Sequence, residues 1–315
     1  MRKIYFALIL IICTAIAAGA CAPARPGYPA PTMEGATPSP SALTAEPSAT
    51  PEVTARPLDM ENAMLLRVVN VGKADCLIFR FPNGEAFMVD TGLKDTADAV
   101  LGALKEAGIE KLTGIIITHG HKDHIGGLKK LLAELPVEAV YTNPLDTATF
   151  SKKERRLIAE SGAQDVALRA GDELKMGGGK AVVLSPNRFY SEDEDENNNS
   201  LVLLLTFGSC RFLLMGDATL TIEHELVESG VNVSADFLKA GRHGKDDATS
   251  ERFLKAVSPS HAALTGNRSE DNEAPSARVI RLMGEYGVQW CVNEGENLAV
   301  DFYCDGVSIQ TAPTQ

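Results

Sequence analysis

Three histidines and one aspartate lie within six residues of one another in this chain, at His119, His121, Asp123 and His124. Imidazole and carboxylate groups together suit zinc, and they also bind manganese and iron. In a tight loop, alternate side chains can turn toward one point, so we expect His119 and His121 to bind one metal ion. Asp123 and His124 would then turn toward a second ion nearby. The spacing therefore predicts a dinuclear metal centre.

The residues on either side of this motif support the same interpretation. The β-branched residues 115–118 predict a short buried strand that ends where the motif begins. Gly126 and Gly127 follow the motif, and we expect them to let the backbone pack closely where the loop enters a helix. The alternative is a polar loop whose histidines only cap and hydrogen-bond. Three of the chain's six histidines in one short segment favour the metal site.

Several further motifs occur in a defined order along the chain. They are VNVGKADCLIF (69–79), MVDTG (88–92), NNNSLVLLL (197–205), LLMGDA (213–218) and LKAGRHGKDDATS (238–250). Together with HGHKDH, they resemble the metallo-β-lactamase fold, and within it the soluble hydrolase domain of ComEC-type competence proteins. The resemblance extends from about residue 64 to residue 304. It implies an αββα sandwich of the α/β (α+β) class and a metal-dependent hydrolase.

The resemblance also implies metal ligands outside the first motif. Asp217 matches the aspartate that bridges the two metals in the family, and its alternative role is to cap the helix that follows. His243 matches the family's last metal ligand. The family pattern there is His-His-Gly, and this chain has Arg242 in the first position. If the first histidine of that pair is the ligand, the second metal site is damaged in this chain.

A histidine that many family members supply to the first metal has no counterpart between His124 and His224. Asparagines stand at that place, and Asn198 and Asn199 are the candidates for contact with metal or substrate. Because asparagine is a poor zinc ligand, we expect a weaker first site, completed by water or filled by Mn²⁺. The acidic run 191–196 is expected to be a solvated loop.

The remaining candidate residues are predicted to support this centre. Asp75 and Asp90 match acidic positions of the family motifs and are expected to orient ligand histidines. Asp123 and Asp217 are the expected catalytic residues, which hold the metals and accept a proton. A phosphate oxygen of the substrate could be neutralised by three cations: Lys239, Arg242 and Lys245.

These residues predict a hydrolase with two divalent metal ions, Zn²⁺ or alternatively Mn²⁺. The function that we expect is a phosphodiesterase or nuclease-like activity on extracellular DNA or a cell-wall phosphodiester. One alternative is hydrolysis of a lactam, lactone or thioester on the same centre. Another is a tethered binding protein that keeps the fold and has lost catalysis. No protein partner is indicated by the sequence.

The beginning of the chain predicts export. Residues 1–20 have the basic start, apolar run and small residues of a lipoprotein signal peptide, and Cys21 would carry the lipid. An uncleaved anchor and ordinary secretion are the alternatives. Residues 21–58, rich in Pro, Ala, Thr and Ser, predict a disordered tether, and residues 59–315 the catalytic domain. All three alternatives place this domain outside the cytoplasm, and the lipid would hold it at the outer face of the bacterial membrane.

The charge balance excludes a basic surface for duplex nucleic acid. The chain has 30 basic and 42 acidic residues, a net charge of −12. Removal of a signal peptide containing Arg2 and Lys3 would leave 28 basic residues and a net charge of −14. Two metal ions can reverse the sign of the charge locally, so phosphate chemistry in the site is compatible with an acidic chain.

Alternating strand and helix signals predict the elements of the domain. Asp95 is expected to cap a helix that ends at Ala107, and residues 151–160 are predicted to form another. The closing strands, over 288–292 and 298–304, are predicted to form a hairpin. Cys291 and Cys304 flank it, and they are either free or joined in a disulfide. Cys76 and Cys210 are expected to be buried as small apolar residues.

Overall fold

Two β-sheets form the centre of the protein. The computed structural model describes residues 59–60, 62–146 and 149–312. The strands are β1 (Met64–Val69), β2 (Leu77–Arg80), β3 (Ala86–Val89), β4 (Leu112–Ile117), β5 (Val137–Thr142), β6 (Gln164–Ala167), β7 (Glu173–Met176), β8 (Gly179–Ser185), β9 (Val202–Phe207), β10 (Cys210–Leu214), β11 (Phe237–Lys239), β12 (His261–Leu264), β13 (Gln289–Val292), β14 (Ala299–Cys304) and β15 (Ile309–Thr311). One sheet has the order β15-β14-β1-β2-β3-β4-β5-β6, and the other β13-β12-β11-β10-β9-β8-β7.

Helices cover the outer face of each sheet. They are α1 (Ala97–Glu106), α2 (Lys122–Ile125), α3 (Leu128–Glu134), α4 (Lys152–Ser161), α5 (Leu220–Ser229), α6 (Glu251–Val257) and α7 (Ala277–Glu285). The helix predicted over 151–160 is confirmed as α4, and the Ser151 hydroxyl caps it by accepting a hydrogen bond from the amide of Lys153. None of the helices in the described residues has the length and apolar character needed to cross a membrane.

Strand β4 shows how the apolar pattern produces the layers. Because side chains alternate across a strand, Ile115 and Ile117 pack with Val100 of α1 and Leu128 of α3 on the outer face. Ile116 points the other way, into the core between the two sheets. Each isoleucine is at most 1% exposed, and burying one such side chain contributes about 2 kcal/mol.

The second sheet buries its outer face in the same way. Leu213 of β10 packs with Ile222 of α5, Phe253 of α6 and Val279 of α7 in a third core cluster. The order of layers is therefore helices, sheet, sheet, helices. The predicted αββα sandwich is confirmed.

Parallel strands end at the same edge of each sheet. In the first sheet β3 and β4 are parallel, and in the second β10, β11 and β12 are parallel. The segments that follow these strands carry the polar motifs of the sequence. Residues far apart in the chain therefore meet at one edge of the sandwich.

Two predictions of local structure are wrong. Strands β13 and β14 do not form a hairpin, because β13 pairs with β12 in one sheet and β14 pairs with β1 in the other. Cys291 and Cys304 are both free thiols. Asp95 does not cap α1, since it lies inside a 3-10 turn (Lys94–Thr96) that precedes the helix. Cys76 and Cys210 are buried, as expected.

The predicted signal peptide over 1–20, the predicted lipid on Cys21 and the predicted tether over 21–58 lie outside the described residues.

Candidate metal centre

The HGHKDH motif begins at the end of β4 and continues into a one-turn helix. The amide of Gly120 donates to Asp146 Oδ2 and to Thr149 Oγ1, each at 2.8 Å, which fixes the turn after His119. Asp123 and His124 lie in α2 rather than in the loop that the spacing predicted. The extended backbone of His121, with φ −67° and ψ 153°, leads into that helix. The helix aims both side chains back at the strand end.

Two glycines allow the motif to pack against the rest of the first sheet. A Cβ atom at Gly126 would overlap the backbone of Lys94 and Lys122, and one at Gly127 would overlap the carbonyl oxygen of Thr91. The same contact brings the carbonyl oxygen of His124 to the amide of Thr91, at 2.6 Å. The close packing expected of these glycines is therefore present.

Four of the predicted ligands converge on one point. Asp123, His124, Asp217 and His243 each offer an atom within 4.8 Å of the others. His243 Nε2 lies 3.3 Å from Asp123 Oδ2 and 3.4 Å from Asp217 Oδ2. His124 Nε2 lies 3.4 Å from Asp217 Oδ1. This set is the candidate second metal site.

The atoms that face this point lack hydrogen-bond partners. His124 Nε2, Asp217 Oδ1 and His243 Nε2 are buried and, among the residues that the structure describes, make ionic contacts of 3.3–3.4 Å and no well-formed hydrogen bond. Buried polar atoms are nearly always paired, and leaving one unpaired costs about 1–3 kcal/mol. A divalent cation bound to two carboxylates and two imidazoles would satisfy all three. The residues therefore fit the metal that the family implies.

The other two histidines define the candidate first site. His119 Nε2 and His121 Nδ1 face each other at 2.9 Å. The ring of His119 lies 4.1 Å from that of His124, centre to centre, and the ring of His124 lies 5.3 Å from that of His243. The four rings thus form one continuous row, which places the two candidate sites side by side.

Asp75 and Asp90 hold the histidines of the second site. His124 Nδ1 lies 2.7 Å from Asp90 Oδ2, and His243 Nδ1 lies 3.1 Å from Asp75 Oδ1. Each ring is bonded through the nitrogen that points away from the centre, which leaves Nε2 for the metal. Both carboxylates are buried. Asp90 is further fixed by the amide and hydroxyl of Thr118, which donate at 2.8 and 2.7 Å.

The histidines of the first site have different partners. His119 Nδ1 lies 3.2 Å from the Thr118 hydroxyl and 3.3 Å from the Ser200 hydroxyl. His121 Nε2 lies 2.8 Å from Glu196 Oε1. We had expected the whole acidic run to be a solvated loop. Its last residue, Glu196, instead lies against the ring of His121.

Lys239 occupies a different place from the one predicted. It ends β11 with 1% of its surface exposed, pairs with the carboxylate of Asp75 and donates to the carbonyl oxygen of Gly216 at 3.0 Å. A side chain this buried does not meet a substrate in solution. The prediction of substrate contact is therefore corrected: Lys239 neutralises Asp75 behind the metal ligands.

Asp217 follows β10 and is free to bind metal. Its alternative role, capping the next helix, is wrong, because the Thr219 side chain caps α5 by accepting from the amide of Thr221 at 3.2 Å. The amide of Asp217 donates to the Ser200 hydroxyl at 3.0 Å, which links this aspartate to the partner of His119. Its carboxylate remains directed at the two histidines.

The asparagines hold the loop before β9 and do not face the centre. Asn198 Oδ1 accepts from the amide and hydroxyl of Thr219, and its Nδ2 donates to the carbonyl oxygen of Glu194. Asn199 exchanges two hydrogen bonds with the backbone of Tyr190. Because both amides are buried and both ends of each are engaged, the suggestion that they contact metal or substrate is corrected.

The loop that carries His243 is strained. Arg242 and His243 both adopt left-handed backbone angles, with φ of 48° and 54°, and Gly244 follows at 81°. Left-handed angles in residues other than glycine cost about 1–3 kcal/mol each, and such residues cluster at functional sites. In this conformation Arg242 pairs with Asp195, whereas His243 contacts Asp123 and Asp217.

The two remaining cations already have acidic partners. Arg242 pairs with Asp195 at 2.7 Å, and Lys245 pairs with Asp271 at 2.9 Å. Both cations line a surface cavity of about 410 Å³. Their contact with a substrate phosphate stays a prediction. Thr249 and Ser250 precede α6, and the Ser250 hydroxyl caps it by accepting from the amide of Phe253.

The electrostatic field of the two sites differs. Burial would lower the pKa of His243, but the carboxylates of Asp217 and Asp75 outweigh burial and raise this pKa to about 10. Burial is likewise overcome at His124, whose pKa Asp217 and Asp90 raise. At His119, burial and the neighbouring charge of His124 lower the pKa. The carboxylates that favour a proton at the second site favour a divalent cation in its place.

Several supporting residues were missed by the sequence reasoning. Ser200 and Thr118 stand directly beside recognised motif residues, so their positions were a usable signal. The Thr265 hydroxyl donates to Asp75 across 190 residues of chain. Glu196 meets His121 across 75 residues. No local pattern in the sequence indicates either of these long-range contacts.

Comparison with known proteins agrees with this geometry. The family described as Metallo-beta-lactamase superfamily matches residues 69–264. ComE operon protein 3 of Bacillus subtilis (strain 168) is 30% identical over 188 residues, 59% of this chain and 24% of that protein. Competence protein ComA of Neisseria gonorrhoeae is 24% identical over 231 residues, 73% of this chain and 31% of that protein. The chain thus spans less than a third of the length of either curated relative.

A solved structure shows the same fold. The metallo-beta-lactamase fold protein YhfI from Bacillus subtilis aligns with a TM-score of 0.52 and 14% identity, over 76% of this chain and 99% of that chain. Because the family match covers more than half of the sequence and agrees with the sandwich and its centre, the chain belongs to the metallo-beta-lactamase superfamily of metal-dependent hydrolases.

Proposed function

We propose that this protein is a phosphodiesterase with two metal ions, acting on extracellular DNA or on a cell-wall phosphodiester. The observation that carries the proposal is the adjacency of the two ligand sets, with the rings of His119 and His124 only 4.1 Å apart, centre to centre. Two divalent ions bound side by side would activate water and stabilise negative charge on the attacking and leaving oxygens of a phosphodiester.

The residues of the chain supply the remaining parts of the reaction. Asp123 and Asp217 would hold the ions and could accept a proton from the attacking water. Asp123 suits this second task better, since 22% of its side chain is exposed and 8% of that of Asp217. Arg242 and Lys245, at the surface cavity, could bind a phosphate oxygen after exchanging their present carboxylate partners.

The choice of DNA rests on the relatives. One of them is named as a competence protein, and the similarity to this chain covers most of the catalytic domain. The acidic character of the chain, with a net charge of −12, favours a substrate held at the metal centre over tight binding along a duplex. Short or single-stranded ends fit that requirement better than continuous double helix.

Turnover of bis(p-nitrophenyl) phosphate tests the proposal. We expect the full chain to hydrolyse it with Zn²⁺ or Mn²⁺, and the His121→Ala and Asp123→Asn variants to lose at least about 100-fold in rate. Asp98→Asn, on the exposed face of α1, is the matched control and should keep full activity. A folded, metal-loaded protein without turnover would contradict the proposal. Activity on a lactam or a thioester instead would support the other ester classes, and fewer than two bound ions would support a binding role.

We also propose that the chain is held at the outer face of the bacterial membrane by a lipid on Cys21. The support is the signal-like sequence of residues 1–20. Labelling of growing cells with a palmitate analogue should mark the wild type and not Cys21→Ala. Labelling of neither protein would contradict the proposal.

A further inference from the structure

Each of the four histidines at the centre has one ring nitrogen directed inward and one bonded to an oxygen. A neutral imidazole carries a single N–H, so the nitrogen that binds metal must be the unprotonated one. For His124 and His243 the outer partner is a carboxylate, and for His119 it is a pair of hydroxyl groups. Because an ionised carboxylate can only accept, the outer partner fixes which nitrogen is available at His124 and His243.

His121 follows the same rule, but its inward nitrogen is Nδ1 and its outer nitrogen is Nε2. Its Nδ1 faces His119 Nε2 at 2.9 Å, so the proton must be on Nε2 when the first site is filled. Nε2 lies 2.8 Å from Glu196 Oε1. Glu196 is on the far side of the ring from His119, which is the position of an orienting partner and not of a metal ligand.

Glu196 is held in place from two directions. It begins a 3-10 segment, Glu196–Asn199, whose end is anchored by the buried amides of Asn198 and Asn199. On its other side Asp195 accepts from the amide of Asn197 at 3.0 Å and pairs with Arg242 at 2.7 Å. A short rigid segment fixed at both ends keeps the carboxylate against the ring.

We propose that Glu196 is a positioning residue of the first metal site. Its carboxylate accepts the Nε2 proton of His121 and leaves Nδ1 free for a metal ion, while Arg242, through Asp195, holds the segment that carries it. This connects the two departures from the family pattern. Arg242, which replaces a histidine of that pattern, holds the segment that stands where the family's other histidine is missing. The inference depends on the dinuclear centre and not on which ester is hydrolysed.

Histidine NMR and zinc binding by the full chain test the proposal together. Long-range ¹H–¹⁵N spectra of the rings should show His121 protonated on Nε2 in the wild type, and a mixture of tautomers in Glu196→Ala. In titrations with Zn²⁺ and a competing chelator, Glu196→Ala should weaken the first site about 10-fold to 100-fold and leave the second unchanged. Glu196→Gln keeps an oxygen acceptor and should restore the tautomer and most of the affinity.

The matched control is Glu194→Ala, two residues earlier in the same acidic run, where the side chain pairs with Arg188 at the surface. It should behave as the wild type in both measurements. The proposal is overturned if Glu196→Ala keeps the wild-type tautomer and affinity. It is also overturned if Glu196→Gln is as weak as Glu196→Ala, because that result would make Glu196 a direct ligand. No substrate is used, so the phosphodiesterase proposal can fail without affecting this test.

Discussion

The two halves of the candidate metal centre are built in different ways. The second site is buried, with His124 and His243 at most 1% exposed, and its supporting carboxylates come from the interior of the sandwich. At the first site His121 has 31% of its side chain exposed, and its partner Glu196 has 28%. The first site therefore combines one buried histidine, His119 at 1% exposed, with one half-exposed histidine held by a surface loop, whereas both histidines of the second site are buried.

This difference predicts different responses to substitution. Removing a buried charge leaves its partner unpaired in a medium of low dielectric constant, so the whole fold should lose stability. Removing a half-exposed charge leaves its partner in contact with water, and the loss of stability is small. Variants of the second half should therefore unfold more easily, whereas variants of the first half should bind metal less tightly.

Lys239→Met should have the largest effect on stability. It removes the cation that pairs with Asp75, and both groups are 1% exposed. Breaking a buried pair by removing one partner costs about 3–5 kcal/mol. Urea unfolding of the metal-free full chain measures this loss. Lys111→Met, which removes a lysine paired with Glu138 at the surface, should cost less than about 1 kcal/mol. If both variants lost the same free energy of unfolding, the buried pair behind the second site would be no more important for stability than a surface pair.

A pH dependence of stability should come from Glu223, which supports the loop after His243. Burial raises its pKa from 4.5 to about 7, although the amides of Ser250 and Thr249 donate to its carboxylate. The folded chain therefore keeps a proton that the unfolded chain releases, and this group stabilises the fold below pH 4.5 and loses that contribution as the pH rises through 7.

The free energy of unfolding of the wild type, taken relative to Glu223→Gln, should therefore fall by about 3 kcal/mol between pH 4.5 and pH 8. Urea unfolding of both metal-free proteins at the two pH values gives this difference. Titration of the metal ligands cancels, since both proteins contain them. Parallel stability curves for the two proteins would show that folding does not raise the pKa of Glu223.

Sequence reasoning succeeded where function is local in the chain. The ligands of the first motif lie within six residues, so their spacing was informative, and the unbroken run of isoleucines around Ile116 indicated a buried strand. It failed where charge was taken to mean exposure, as at Lys239, because burial depends on a partner 164 residues away. It also failed for the closing hairpin, since β13 and β14 are adjacent in sequence but join different sheets.

The prediction with the smallest expected effect concerns Arg242, and it distinguishes the first site from the second. Arg242 is on the loop of His243, which belongs to the second site, but its partner Asp195 precedes Glu196, which supports the first. Arg242→Ala should therefore weaken zinc binding at the first site about tenfold, and lower stability by less than about 1 kcal/mol. Chelator competition with Zn²⁺ and urea unfolding measure the two quantities.

Asp195→Asn should reproduce the effect of Arg242→Ala, and the double variant should be no weaker than either single one, because both substitutions break the same contact. Arg252→Ala, which breaks a surface pair with Glu228 on the neighbouring helices, is the control and should leave both sites unchanged. If Arg242→Ala weakens the second site instead, the arginine acts on the strained backbone of His243 and not through the acidic segment. The first site would then not depend on the segment that carries Glu196.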